Sequence, residues 1–184
     1  MTIRAGRVAR SAVAIGAVGL LAGCSGIFDV EDPQAFGNED LNDPAILAAV
    51  AAGVEGALHQ SYDDLIVIGG LLSDEIEETS TWIDWRDISL GRVRADWPTP
   101  GSFSGPQDGL LRARFAAQDA KARFDEVLGT AAATSPLVAQ VQWVDAVADL
   151  LIGMNYCEGP DVASGSAVSD ATLIKNAITK LTTA

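Results

Sequence analysis

From residue 44 onward, apolar side chains recur at intervals of three and four along most of the chain, the period of helices that bury one face. Leu47, Val50, Val54 and Ala57 mark the first such face and predict a helix over residues 44–60. Asp43-Pro44 suits its start: an aspartate accepts an unpaired N–H, and a proline at the first helical position has none to leave unsatisfied. Residues 65–72 (LIVIGGLL) are apolar throughout, so periodicity does not separate strand from helix, and we assign helix. A further helix is predicted over 107–128, with Leu110, Ala113, Ala117, Ala120, Phe124 and Val127 on its inner stripe. Asp119 with Arg123 and Lys121 with Asp125 form i,i+4 pairs on its outer face. Half of that stripe is alanine, so a neighbouring helix can come close.

Ser135-Pro136 opens the next helix, with Leu137, Val141, Val144, Ala148 and Leu151 inward and Gln142, Asp145 and Asp149 assigned to water. Cys157-Glu158-Gly159-Pro160 ends it, and a polar loop follows. Ser169 or Asp170 caps a last helix running through Leu173, Ala177, Ile178 and Leu181. Residues 79–105 show no period and gather Trp82, Trp85, Trp97 and Phe103 among prolines, glycines and serines, which predicts a long irregular loop of functional character. The fold class expected is mainly α: a tetratricopeptide-like antiparallel helical solenoid with one long loop.

The first residues belong to a different kind of segment. Arg4, Arg7 and Arg10 precede an apolar run from Ser11 to Leu21, too short to span a bilayer, and Leu21-Ala22-Gly23-Cys24 follows directly. This order is similar to the bacterial lipobox, which implies cleavage after residue 23 and acylation of Cys24. Ser25 rather than an aspartate follows, which by resemblance to lipoprotein sorting favours the outer membrane. Residues 24–42 are acid-rich, without apolar period, and read as a tether, leaving 43–184 as the helical region.

Charge narrows the function classes. The 184 residues carry 12 Lys and Arg against 25 Asp and Glu, and the leader holds three of those arginines, so cleavage moves the net charge from −13 to −16. Such a chain repels phosphates, so no nucleic-acid partner is expected. Acyl chains, not surface charge, are expected to hold it at the membrane.

Catalytic chemistry is sparse. His59 is the single histidine and is expected at a helix end on the surface. Asp74, Glu75, Glu77 and Glu78 lack the alternating ligands of a calcium loop and read as a solvated helix end, so no metal is expected. Gly101-Ser102-Phe103-Ser104-Gly105 has the outline of a hydrolase elbow with phenylalanine at the nucleophile position. No catalytic residue and no cofactor is expected, and the chain is read as a non-enzyme. Cys157 is a buried apolar side chain or half of a disulfide. The three loop tryptophans Trp82, Trp85 and Trp97 are candidates for ligand stacking, because an indole offers an apolar face to sugar C–H groups; the alternative is that they pin the loop to the core.

Several of these segments stand in the order seen in one family. The lipobox, the acidic lead-in, Asn42-Asp43-Pro44, Leu71-Leu72-Ser73-Asp74-Glu75, Asp84 to Arg86, Ala113-Arg114-Phe115-Ala116-Ala117-Gln118-Asp119 and Leu151-Ile152-Gly153-Met154-Asn155-Tyr156-Cys157-Glu158 together resemble the N-terminal part of SusD/RagB outer-membrane lipoproteins. Met154 departs from the glutamate often found in members. Members also run two to three times longer, so the expectation is an incomplete N-terminal portion. The resemblance implies a lid-like protein that presents oligosaccharides or peptides to a TonB-dependent, SusC-like transporter. The alternative carried with it is a tetratricopeptide-like envelope adaptor that binds proteins and no small ligand.

Overall fold

The computed structural model describes residues 37–92, 105–162 and 164–183; Cys24, Trp97 and Ser102, Phe103 and Ser104 lie outside them. The described chain is mainly helical, as its apolar period predicts. Its elements are α1 (Leu47–Leu72), α2 (Ile83–Ser89), α3 (Gly105–Leu128), α4 (Pro136–Asn155), a hairpin of β1 (Glu158–Pro160) and β2 (Ala167–Ser169), and α5 (Asp170–Thr183). Short 3-10 turns, Asp40–Asn42 and Gly129–Thr134, precede α1 and join α3 to α4.

The two helices expected over 44–60 and 65–72 are one helix of 26 residues. Ser61-Tyr62-Asp63-Asp64 between them is polar, yet the inward positions Leu47, Ala51, Val54, Leu58, Ser61, Leu65 and Ile68 step by three and four straight through it. Ser61 is tolerated on that face because its hydroxyl donates to the Ala57 carbonyl at 2.9 Å, satisfying the polar atom within its own helix. Across from it stands Gly109 of α3, where a Cβ would collide with the Ser61 hydroxyl, so the glycine sets how closely α1 and α3 approach. His59 is consequently mid-helix, exposed and 3.5 Å from Glu55 Oε1, rather than at a helix end. The start also falls later than Pro44. The Asp43 carboxylate accepts the Ala45 N–H at 2.8 Å, and regular helix begins at Leu47.

α3 buries Leu110, Ala113, Ala117, Ala120 and Phe124 with Val127 half-buried, the stripe read from the sequence. Both outer-face pairs form, Arg123 Nε to Asp119 at 2.7 Å and Lys121 Nζ to Asp125 at 2.6 Å. Arg123 also donates to the Asn38 carbonyl at 3.0 Å, Asn38 Oδ1 at 2.7 Å and Asn42 Oδ1 at 3.1 Å, which fastens the end of the acidic lead-in to α3. Its guanidinium is held above its ordinary pKa, chiefly by the bond to Asp119.

Consecutive long helices run antiparallel. Asn42 meets Arg123 and Ser61 meets Gly109 across α1 and α3, whereas Arg114 meets Asp149 across α3 and α4. Gly153 of α4 faces Asp170 and Leu173 at the start of α5, and Gln142 Nε2 donates to the Lys180 carbonyl near its end, at 3.0 Å. A Cβ on Gly153 would lie 2.9 Å from the Asp170 carbonyl oxygen, so glycine is what lets α5 seat there. α4 is the described helix long and apolar enough to cross a membrane, and here it contacts α1, α3 and α5 as the middle of the bundle. Two assignments change as a result. Asp145 and Asp149, expected in water, are buried because α5 covers that side of α4; Ile178 and Leu181, expected inward, are exposed because α5 meets α4 through Leu173, Ala177 and Lys180. The long loop is also less irregular than expected, since α2 lies within it.

A candidate ligand cleft and a buried ion network

α1 ends with a reversal built on an unusual residue. Ser73 donates to the Gly69 carbonyl at 3.0 Å, and Glu75 and Ile76 both donate to the Gly70 carbonyl, at 3.0 and 3.2 Å. Between them Asp74 takes φ of 60°, a left-handed conformation more usual for glycine or asparagine after a helix. Ile76 then lies against Gly70, where a Cβ would stand 3.0 Å from its Cγ1. The chain turns back over α1 and tightens once more. Glu78 Oε1 accepts the Ser80 N–H at 2.6 Å, and the Ser80 hydroxyl accepts the Trp82 N–H at 3.1 Å before α2 begins.

This second turn separates the fates of two tryptophans. Trp85 is half-buried against Ile68, Leu71 and Ile88, a small apolar cluster that fixes α2 on α1. Trp82 is 67% exposed. Together with Val67, Glu78 and Ser80 the two indoles line a shallow cleft of about 350 Å³, within the range of small-ligand sites. Two of the three candidate tryptophans therefore share one concavity, one as its anchored wall and one as its open face. Asp74, Glu75 and Glu77, which precede it in the chain, are exposed, and Glu78, which lines it, is half-buried. Among the described residues no three His, Cys, Asp or Glu side chains are grouped to hold a metal. Cys157 is exposed and unpaired, just before β1, so the buried apolar reading of it is corrected.

A second constellation lies in the bundle interior. Asp149 accepts Arg114 Nη1 at 2.8 Å and Lys180 Nζ at 2.6 Å, one on each carboxylate oxygen. Asp145 Oδ1 accepts Lys180 Nζ at 2.9 Å and Gln118 Nε2 at 2.9 Å. Arg114 Nη2 reaches the Pro160 carbonyl of β1 at 2.7 Å. Two cations meet two anions, and among the described residues no buried side-chain nitrogen or oxygen lacks a partner. With the Lys180 amine and both carboxylates engaged in mutual ion pairs, the network acts as a clamp between α3, α4, α5 and β1. A sequence signal for it existed: two aspartates four residues apart, embedded in Val144, Ala146, Val147 and Ala148. Nearby, burial first and then the Asp108 carboxylate raise the pKa of the Tyr156 phenol above its ordinary value.

A further concavity of about 450 Å³ lies where the α3–α4 connection meets the end of α5, lined by Lys121, Asp125, Ser135, Gln142, Thr183 and several alanines. Lys121 and Asp125 there are paired to each other. No family model, no curated protein and no solved structure matches the chain.

Proposed function

We propose that this chain is a nutrient-binding lipoprotein of the SusD/RagB kind, anchored in the outer membrane through Cys24. In this reading it offers oligosaccharides or peptides to a TonB-dependent transporter. The observation that carries the reading is the exposed indole of Trp82 above a cleft walled by Trp85. A solvent-facing tryptophan of this kind has apolar surface to gain by stacking on a ligand. The leader of the chain, with its basic start and L-A-G-C end, supplies the anchor.

Two outcomes test it. Trp82→Ala is expected to weaken binding of an oligosaccharide or peptide ligand by about 1 to 3 kcal/mol, the scale of a buried aromatic contact, with the melting temperature unchanged. Trp85→Ala should instead lower the melting temperature, because its indole holds α2 to α1. Calorimetric titration beside thermal melts separates the two, and loss of stability at Trp82 with unaltered binding would make its indole a support of the fold and not a ligand platform. At the anchor, Cys24→Ser is expected to leave a full-length, unacylated precursor. Mass spectrometry showing the same mature N-terminus in mutant and wild type would remove the lipoprotein reading.

One feature favours the second reading, a tetratricopeptide-like adaptor that binds envelope proteins. Along α4, Trp143 and Met154 are exposed with the half-buried Val147 and Leu150 between them at spacings of four, three and four, and Ile178 and Leu181 of α5 are exposed as well. A solenoid extends by stacking further helices on such a face.

A further inference from the structure

The cleft between Trp82 and Trp85 differs from a neutral sugar platform in what surrounds the indoles. Glu78 reaches into it, and only one of its carboxylate oxygens is engaged: Oε1 accepts the Ser80 N–H, and among the described residues Oε2 has no partner. The surrounding chain deepens the negative field, since residues 61–92 carry eight carboxylates against two arginines, Arg86 and Arg92. Val67 completes the apolar side.

From these groups the geometry points to a cationic ligand head, an amine or guanidinium, seated between the face of Trp82 and the free oxygen of Glu78. An indole face attracts a cation through its quadrupole, and the attraction grows as water is removed. A carboxylate within the same cleft pairs with the charge, and a guanidinium can both stack on the ring and bond the oxygen. The acidic surroundings concentrate cations near the mouth and steer them in, an effect that salt screens. This inference rests on the ligand-binding reading given above and narrows its ligand to one bearing positive charge. That charge has two natural sources, a basic side chain of a peptide or the amino group of an amino sugar.

Calorimetric titration of the full chain in a non-ionic detergent tests it with four probes: N-acetyl-Ala-Arg-Ala-amide, the same peptide with citrulline in place of arginine, a glucosamine trimer with free amines, and maltotriose. The expected result is that the arginine peptide or the glucosamine trimer binds, which identifies the source. Its neutral counterpart, the citrulline peptide or maltotriose, should bind about tenfold more weakly or not at all. Affinity should fall as salt rises. Glu78→Gln keeps an acceptor for the Ser80 N–H, so the turn is preserved, and it should weaken the cationic probe by about tenfold. Equal affinity for charged and neutral members of a pair, or no change in Glu78→Gln, overturns the cation assignment. Maltotriose binding alone, lost in Trp82→Ala, overturns it while leaving the nutrient-binding reading standing. Failure of all four probes removes both.

Discussion

Asp149→Ala is expected to destabilise the protein by about 3 to 5 kcal/mol, the cost of removing one member of a buried ion group and leaving its partners uncompensated. Asp149 is 2% exposed and holds Arg114 on one oxygen and Lys180 on the other. Once it is gone, Arg114, itself 4% exposed, keeps among the described residues the Pro160 carbonyl, and Lys180 keeps Asp145. The damage is expected to reach three helices and the hairpin, because those bonds run between them. Urea unfolding reads the effect as a lower midpoint. Replacing Arg114, Asp145, Asp149 and Lys180 together by apolar residues of similar volume should recover most of the loss, since no charge of the group is then left unpaired. A single-mutant loss below about 1 kcal/mol would show that water reaches the group and that it does not act as a clamp.

That network also marks where the sequence stops being readable. The inner stripe of α3 follows from its period alone, because each of its apolar positions faces a neighbour whatever that neighbour is. Asp145 and Asp149 depend on something further: which second helix covers α4. A helix flanked on one side has a wet face; α4, flanked by α1, α3 and α5, has its acids turned into the contact with α5 and Lys180. The same reason moved Ile178 and Leu181 outward, since local period fixes that a face is buried but not which of two apolar faces wins. The continuity of α1 was hidden by chemistry rather than topology. A serine that bonds its own helix and packs on a glycine looks in sequence like a polar break. At the cleft, residue type pointed to the tryptophans, and only the turn through Asp74 and Ser80 separates Trp82 from Trp85. The exposed stripe of α4 was unreadable for the converse reason: Trp143 and Met154 are apolar and helical, with no helix laid over them among the described residues.

The largest single apolar loss is expected at Phe124. It is wholly buried near the end of α3, where the arginine clamp through Arg123 brings the start of α1 alongside and the 3-10 turn leads into α4. Other members of the same core from these elements include the small or aliphatic Leu47, Ala120, Ala132 and Val138. Alanine has no rotamer with which to refill a void, so the space left by Phe124→Ala stays open and the cavity term adds to the lost transfer energy. About 4 kcal/mol is expected, toward the middle of the range for phenylalanine truncation. For a chain of this size that corresponds to a fall in melting temperature of roughly 10 °C. Phe124→Leu should restore more than half of it, because most of the volume returns. The proposed ligand cleft lies at the opposite end of α1, so any binding there by the folded mutant should match wild type. A melting temperature lowered by less than about 3 °C would mean that the bundle closes over the void, and that the alanine stripe of α3 permits sliding rather than fixing the helices at one separation.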